Sequence, residues 1–241
     1  MIIGYKYFLF FILTPFLFSH EPIKSKPNWK NYYRLGAVNN NSSFGFSSYN
    51  RLKRTTNDTY NDFRFFGNFF KKNTILILRQ KSSRMIFSFK NFYSFNTVKL
   101  EKNTFNDVNI RYQSNQGLGY LIKDYKRINL NIELGITFDN SDYLNSQQKR
   151  SYLKTGNTID LNLKKMKFKF EIDYFKQINK DTSNYDFSRI DLLLEASIPI
   201  KKNINLIFGI LNQTNSQNIY SFENNLFFIN LSNSKNLNWK L

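Results

Sequence analysis

The sequence predicts an all-β chain: an antiparallel up-and-down transmembrane β-barrel of about 12 strands, following an N-terminal signal peptide. Three observations carry that expectation. Long stretches alternate apolar and polar residues with a period of two. An apolar segment of secretory length opens the chain. No later segment reaches the roughly 18 consecutive apolar residues that a membrane-crossing helix needs, and only helices and closed barrels satisfy their backbone in lipid.

The N-terminal segment reads MIIGYKYFLFFILTPFLFSHEP. Lys6 supplies a minimal positive start, residues 7–18 form the apolar core, and Ser19 is the expected last residue before cleavage. The expected organisation is a signal peptide over residues 1–19, a periplasmic lead-in over 20–28, and the barrel over 29–241.

The strands follow in order. Expected spans are 29–38, 43–54, 58–70, 73–81, 84–98, 107–123, 127–138, 150–163, 166–178, 186–200, 204–213 and 220–231. Residues 127–138 show the pattern most clearly. Ile128, Leu130, Ile132, Leu134, Ile136 and Phe138 fall on one face, and Arg127, Asn129, Asn131, Glu133, Gly135 and Thr137 on the other. Met166, Phe168, Phe170, Ile172 and Tyr174 alternate in the same way with Lys167, Lys169, Glu171 and Asp173. Over 189–200 the alternation is broken only by Leu193 and Pro199. In NTILIL (73–78) both faces are apolar and the register is unclear. Several of these spans are longer than the 5–6 residues usual in soluble sheets, and a tilted strand crossing a bilayer needs about 9–11.

Tight polar turns at 124–126, 164–165 and 201–203 lie roughly 37–40 residues apart. Longer polar links are expected between them, at 139–149, 179–184 and 213–218. Short turns at one end and long loops at the other match bacterial outer-membrane barrels. An even strand count returns both termini to the periplasmic end. Gly117 and Gly119 sit inside a strand and indicate a close backbone approach or a bend.

Composition excludes several kinds of chemistry. The chain has no Cys and one His, His20, so thiolate nucleophiles, Cys metal sites and Ser/His/Asp catalysis are not expected. The formal charge is +18, from 35 Lys and Arg against 17 Asp and Glu. The basic residues are spread along the chain rather than gathered on one patch, which argues against nucleic acid as a partner. Lys, Asn, Phe, Ile and Tyr are abundant together, as codon drift in an AT-rich genome produces. The Phe and Tyr residues fit interfacial girdles or that same drift.

Charged side chains on the lipid face are costly, so the wet face must point inward. The candidate lumen-lining residues are Arg111, Arg127, Glu133, Lys154, Asp160, Lys167, Lys169, Glu171, Asp173, Arg189, Asp191 and Glu195. A basic interior favours small anions. The alternative is an interior filled by its own side chains, with these carboxylates paired to neighbouring Lys and Arg. No catalytic pair, cofactor or metal is expected.

Residues 105–143, FNDVNIRYQSNQGLGYLIKDYKRINLNIELGITFDNSDY, resemble the core of the salt-induced outer-membrane protein family (YdiY-like, a domain of unknown function). The resemblance rests on Arg111, Gly117, Gly119, Tyr120, Asp124 and Gly135, and on the later EASIPI strand, and covers roughly residues 29–215. It implies an exported outer-membrane barrel whose partners are outer-membrane lipid and the barrel-assembly machinery. Barrels often end on Phe or Trp for that machinery; here Trp239 stands two residues from the end. The family supplies no substrate or catalytic mechanism. The rival to this reading is a soluble periplasmic β-barrel or β-sandwich binding protein, in which the apolar faces would form a core.

Overall fold

The structure is a computed structural model that describes residues 26–40, 43–86, 91–124, 127–143, 146–179, 186–215 and 225–239. The expected signal peptide and most of the lead-in, with His20, lie outside these residues. The strands are β1 (Asn28–Asn40), β2 (Ser43–Thr55), β3 (Thr59–Phe70), β4 (Thr74–Met85), β5 (Phe92–Asn103), β6 (Val108–Asp124), β7 (Ile128–Tyr143), β8 (Ser146–Asn162), β9 (Lys167–Gln177), β10 (Arg189–Lys201), β11 (Ile204–Asn215) and β12 (Leu226–Leu237). Each pairs antiparallel with its chain neighbour, and β12 returns to β1 from Trp29 opposite Leu237 to Asn40 opposite Leu226. The sheet therefore closes and has no edge.

The period-two pattern decides which side each residue faces. On β7, Ile132, Leu134, Ile136 and Phe138 are 43–57% exposed on the outside. Glu133, Thr137, Asp139 and Ser141 alternate with them and are buried inside. A register slip of one residue would exchange these faces, so the pattern holds the pairing. The outer face of β9–β12 is likewise apolar, with Phe168, Tyr174, Ile190, Leu194, Phe208, Ile229 and Leu231 exposed. A contiguous apolar exterior of this size is unlike that of a soluble monomer.

Aromatic side chains gather at both rims of this band. At the end that holds both termini, the Trp29 and Trp239 rings meet edge to face at 5.3 Å, and Phe92 lies 4.6 Å from Tyr120. Phe44, Phe69 and Phe227 project outward toward the other end. Amphipathic rings are favoured at such interfaces.

Some spans differ from expectation. The expected turn at 82–83 is strand: Ser82 pairs with Asn61 and Asn96, and Ser83 with Tyr60 and Phe95. Polar residues occupy both faces of Arg79–Arg84, so no alternation marked the strand there. The expected long link at 139–149 is also mostly strand, because β7 runs to Tyr143 and β8 starts at Ser146. Asp139 and Ser141 there continue the inward face. The last strand is Leu226–Leu237 rather than 220–231, held by pairing with β1 out to Leu237. The turn asymmetry is therefore narrower than expected. Links opposite the termini are also short at 41–42, 71–73 and 144–145, and only 178–188 and 216–225 are long.

Two local features shape the connections. A single 3-10 turn, Thr104–Asn106, joins β5 to β6; the Asn103 side chain accepts from the Phe105 amide at 3.1 Å, and Asp107 closes the turn at φ 54°. In the β9–β10 link, donation from the Ser188 hydroxyl and amide pulls the Asp186 carboxyl below its ordinary range.

Candidate functional site: the barrel lumen

The inward positions of the strands build one interior, and charge pairs cross it. Arg34 on β1 binds Glu195 on β10, with a second contact at 2.9 Å. Lys81 on β4 binds Glu133 on β7. Arg79 on β4 reaches Glu171 on β9 at 3.4 Å. None of these strand pairs are neighbours in the barrel. Between β4 and β9 the sheet runs through β5–β8 one way and through β3–β1 and β12–β10 the other, so the Arg79–Glu171 pair spans the lumen.

Further pairs extend these bridges along the wall. Lys169 meets Glu171 at 2.5 Å, and Lys154 meets Asp173 at 2.9 Å and Glu133 at 4.0 Å. Asp62 is held by Arg51 at 2.7 Å and Arg64 at 2.6 Å. Nearer the end opposite the termini, Lys99 and Arg111 flank Glu101 at 2.8 and 3.8 Å. Arg111 and Arg189 converge on Asp139 at 3.7 and 3.2 Å. The Arg189 guanidinium also sits 4.2 Å from the Phe175 ring centroid and 5.4 Å from that of Tyr152. Among the described residues, ten Lys and Arg side chains meet eight carboxylates in these lumen pairs, so the wall is richer in positive than in negative side chains.

Glycines let side chains lie flat against the wall. A Cβ on Gly119 would stand 2.2 Å from the Tyr93 ring. The bare backbone there seats that ring, whose hydroxyl donates to Glu133 at 2.7 Å. Gly117 lies opposite Gly135 on β7, where a Cβ would meet the Leu134 carbonyl at 2.1 Å. The expectation of a close approach at this pair of glycines is what the structure shows.

An apolar cluster also crosses the lumen, between β4 on one side and β11 and β12 on the other. Val38, Ile75, Ile207, Leu226 and Phe228 form a buried cluster from β1, β4, β11 and β12, with Ile77, Leu193 and Leu211 packed against it. Beside it, near the end opposite the termini, is a cavity of about 80 Å³ lined by Ile75, Ile77, Leu211 and Leu226 and by Lys99, Glu101, Asp191 and Gln213. That space holds a few waters and not a hydrated sugar or peptide.

Of the residues singled out from the sequence, the structure brings together Arg111, Glu133, Lys154, Lys169, Glu171, Asp173, Arg189, Asp191 and Glu195 in these networks. Asp160 lies inward on β8, half-buried and paired in register with Lys169. Lys167 is exposed at the first residue of β9. Arg127 departs from the expected lumen position: it lies in the β6–β7 turn, exposed, with its carbonyl accepting from the Asn162 amide. The strict alternation ends one residue before β7 begins.

Sequence reasoning missed Arg34, Arg51, Asp62, Arg64, Arg79 and Lys81 on β1–β4, and Lys99, Glu101 and Asp139 on β5 and β7. On β1–β4 polar residues also face outward and the register could not be read, and Asp139 fell in a stretch expected to be a loop. The available signal was the regular spacing of Arg79, Lys81 and Ser83 behind the apolar Ile75 and Ile77.

No family model matches the chain, and no curated protein matches it. Among solved structures, the NanC porin aligns with a TM-score of 0.55 at 9% identity, covering 84% of this chain and 98% of that one. The KdgM porin aligns with a TM-score of 0.47 at 12% identity, over 85% and 98%. The translocator domain of the autotransporter NalP from Neisseria meningitidis gives 0.41 at 10%, over 92% and 91%. What the chain shares with the NanC porin, at this identity, is the fold of a closed antiparallel barrel.

Proposed function

We propose that the chain is an outer-membrane β-barrel acting as a narrow, anion-favouring pore. The observation that carries this reading is the lumen itself: a basic wall crossed by the Arg79–Glu171, Lys81–Glu133 and Arg34–Glu195 bridges and by an apolar cluster that joins β4 to β11 and β12. Passage is then confined to water and small ions threading past fixed side chains, and the excess of guanidinium and ammonium groups favours anions. The apolar exterior and the rim aromatics support residence in a bilayer, and the porin description of the NanC fold neighbour accords with it. A soluble binding barrel is disfavoured, because the apolar faces point out instead of forming its core. Membership of the salt-induced family rests on the sequence motif of Arg111, Gly117, Gly119, Tyr120 and Gly135 alone. No enzymatic role is proposed, since every carboxylate in these networks is tied to a cation.

The test is single-channel recording in planar bilayers under a potassium chloride gradient. The expected result is a small unitary conductance with a reversal potential on the chloride side, rising severalfold in the double variant Arg79→Ala/Glu171→Ala. A large wild-type conductance, or a cation-selective one, overturns the reading. Silence in both wild type and double variant, with the barrel inserted, makes the protein a structural element of the membrane instead.

A further inference from the structure

The two ends of the barrel carry different charge. Over the turns and the three strand residues next to each, the end that holds both termini exposes ten Lys and Arg side chains among the described residues, against one exposed acid, Asp58. The other end exposes four cations and two acids among the described residues, and one of those cations, Lys176, is tied to Asp186 at 3.1 Å. Codon drift raises lysine along a whole chain and does not sort it by end. The cations at the terminal end also sit at the edge of the apolar band. Lys164 and Lys165 follow Leu163, which is 47% exposed, and Lys201 and Lys202 follow Ile200, which is 54% exposed. A strand residue advances only about 3.4 Å, so these ammonium groups start where the outward apolar side chains stop. Arg84 and Lys235 are exposed on the outward faces of β4 and β12, opposite Ser94 and Asn31. Arg54 faces outward on β2, opposite Trp29, with its guanidinium 5.9 Å from that ring. It reaches the Thr59 hydroxyl at 3.5 Å, and Thr59 stands opposite Arg84, so two guanidinium groups bracket one hydroxyl.

We propose that this end is a basic collar that docks on the headgroups of anionic phospholipids in the leaflet around it. Charge selects an anionic occupant, because the surface offers ten exposed cations and one exposed acid. Position selects the lipid. Arg54 and Arg84 lie level with the rim rings Trp29 and Phe92, and such rings mark the headgroup layer. The long stems of Lys and Arg lie along apolar surface while their charged heads stay in the polar layer. Guanidinium groups bind phosphate oxygens in a bidentate fork, and clustered cations draw anionic headgroups to a membrane protein. A ring that steered anions into the lumen would carry its cations on inward positions. Lys30 and Lys167 alternate inward, but Arg54, Arg84 and Lys235 face outward and the turn lysines lie at the membrane edge. The inference rests on the bilayer residence proposed above.

The test is native mass spectrometry of the full-length protein in detergent with equimolar phosphatidylglycerol and phosphatidylcholine. The expected result is a severalfold excess of phosphatidylglycerol adducts. The excess should fall to near parity in the variant Arg54→Gln/Arg84→Gln/Lys164→Gln/Lys165→Gln/Lys201→Gln/Lys202→Gln. A control at the other end, Lys71→Gln/Lys72→Gln/Lys102→Gln, should keep it. Parity in the wild type, an excess that survives the six changes, or an equal loss in the control overturns the collar. Retention of soluble polyglutamate with no preference between the two lipids also overturns it, and assigns the surface to an acidic protein instead. Heat-modifiable mobility is read independently on every sample, so failure of the collar is distinguished from failure of the barrel.

Discussion

Replacing Leu134 by Arg should destabilise the folded protein by about 2–4 kcal/mol, the cost of a guanidinium on the lipid face near the bilayer midplane. Leu134 is 54% exposed on β7, between Leu118 on β6 and Thr155 on β8. The same change at a half-exposed leucine of a soluble protein alters stability by about 0.5 kcal/mol or less. The two environments therefore give separable answers from one substitution. The readout is the urea midpoint of the compact, heat-modifiable form in lipid vesicles. A shift of this size places the dry face of β7 in hydrocarbon, whereas an unchanged midpoint places it in water.

The second large effect is expected inside. Glu133→Ala should cost about 3–5 kcal/mol, because removing one member of a buried ion pair strands its partner, here Lys81. Glu133 is 7% exposed at its side chain and is bound by Lys81, by Lys154 at 4.0 Å and by the Tyr93 hydroxyl at 2.7 Å. Truncation strands the Lys81 ammonium, whereas Lys154 keeps Asp173 at 2.9 Å. Adding Lys81→Met removes the stranded ammonium and should recover part of the loss. The pair is then coupled in a double-mutant cycle of unfolding in urea. Additive losses from the two single changes would show that Glu133 and Lys81 do not interact across the lumen.

The legibility of this fold varied along the chain for identifiable reasons. β7, β9 and β10 could be read directly because an apolar outer face and a charged inner face impose strict alternation. The irregular positions were signals of a different kind. Ile75 and Ile77, the puzzle in NTILIL, face the lumen and join its apolar cluster, while Leu76 and Leu78 face out. Leu193, which broke the pattern on β10, packs against the same cluster. Pro199 adjoins the register shift between Pro199 and Lys201, where a missing amide is tolerated. The cross-lumen partners were not legible at all. Arg34 and Glu195 are 161 residues apart, and their meeting depends on closure and stagger that no local period encodes. The misplaced turns near 82 and 139 have the same origin: polar residues mark a strand's inward face as readily as they mark a loop.

The most direct test of the membrane-spanning barrel is fractionation of the expressed protein followed by gel electrophoresis with and without boiling. The expected result is recovery in the outer-membrane fraction, with a band that migrates faster unboiled because the closed 12-strand sheet resists detergent. Recovery in the soluble fraction with one mobility would contradict it.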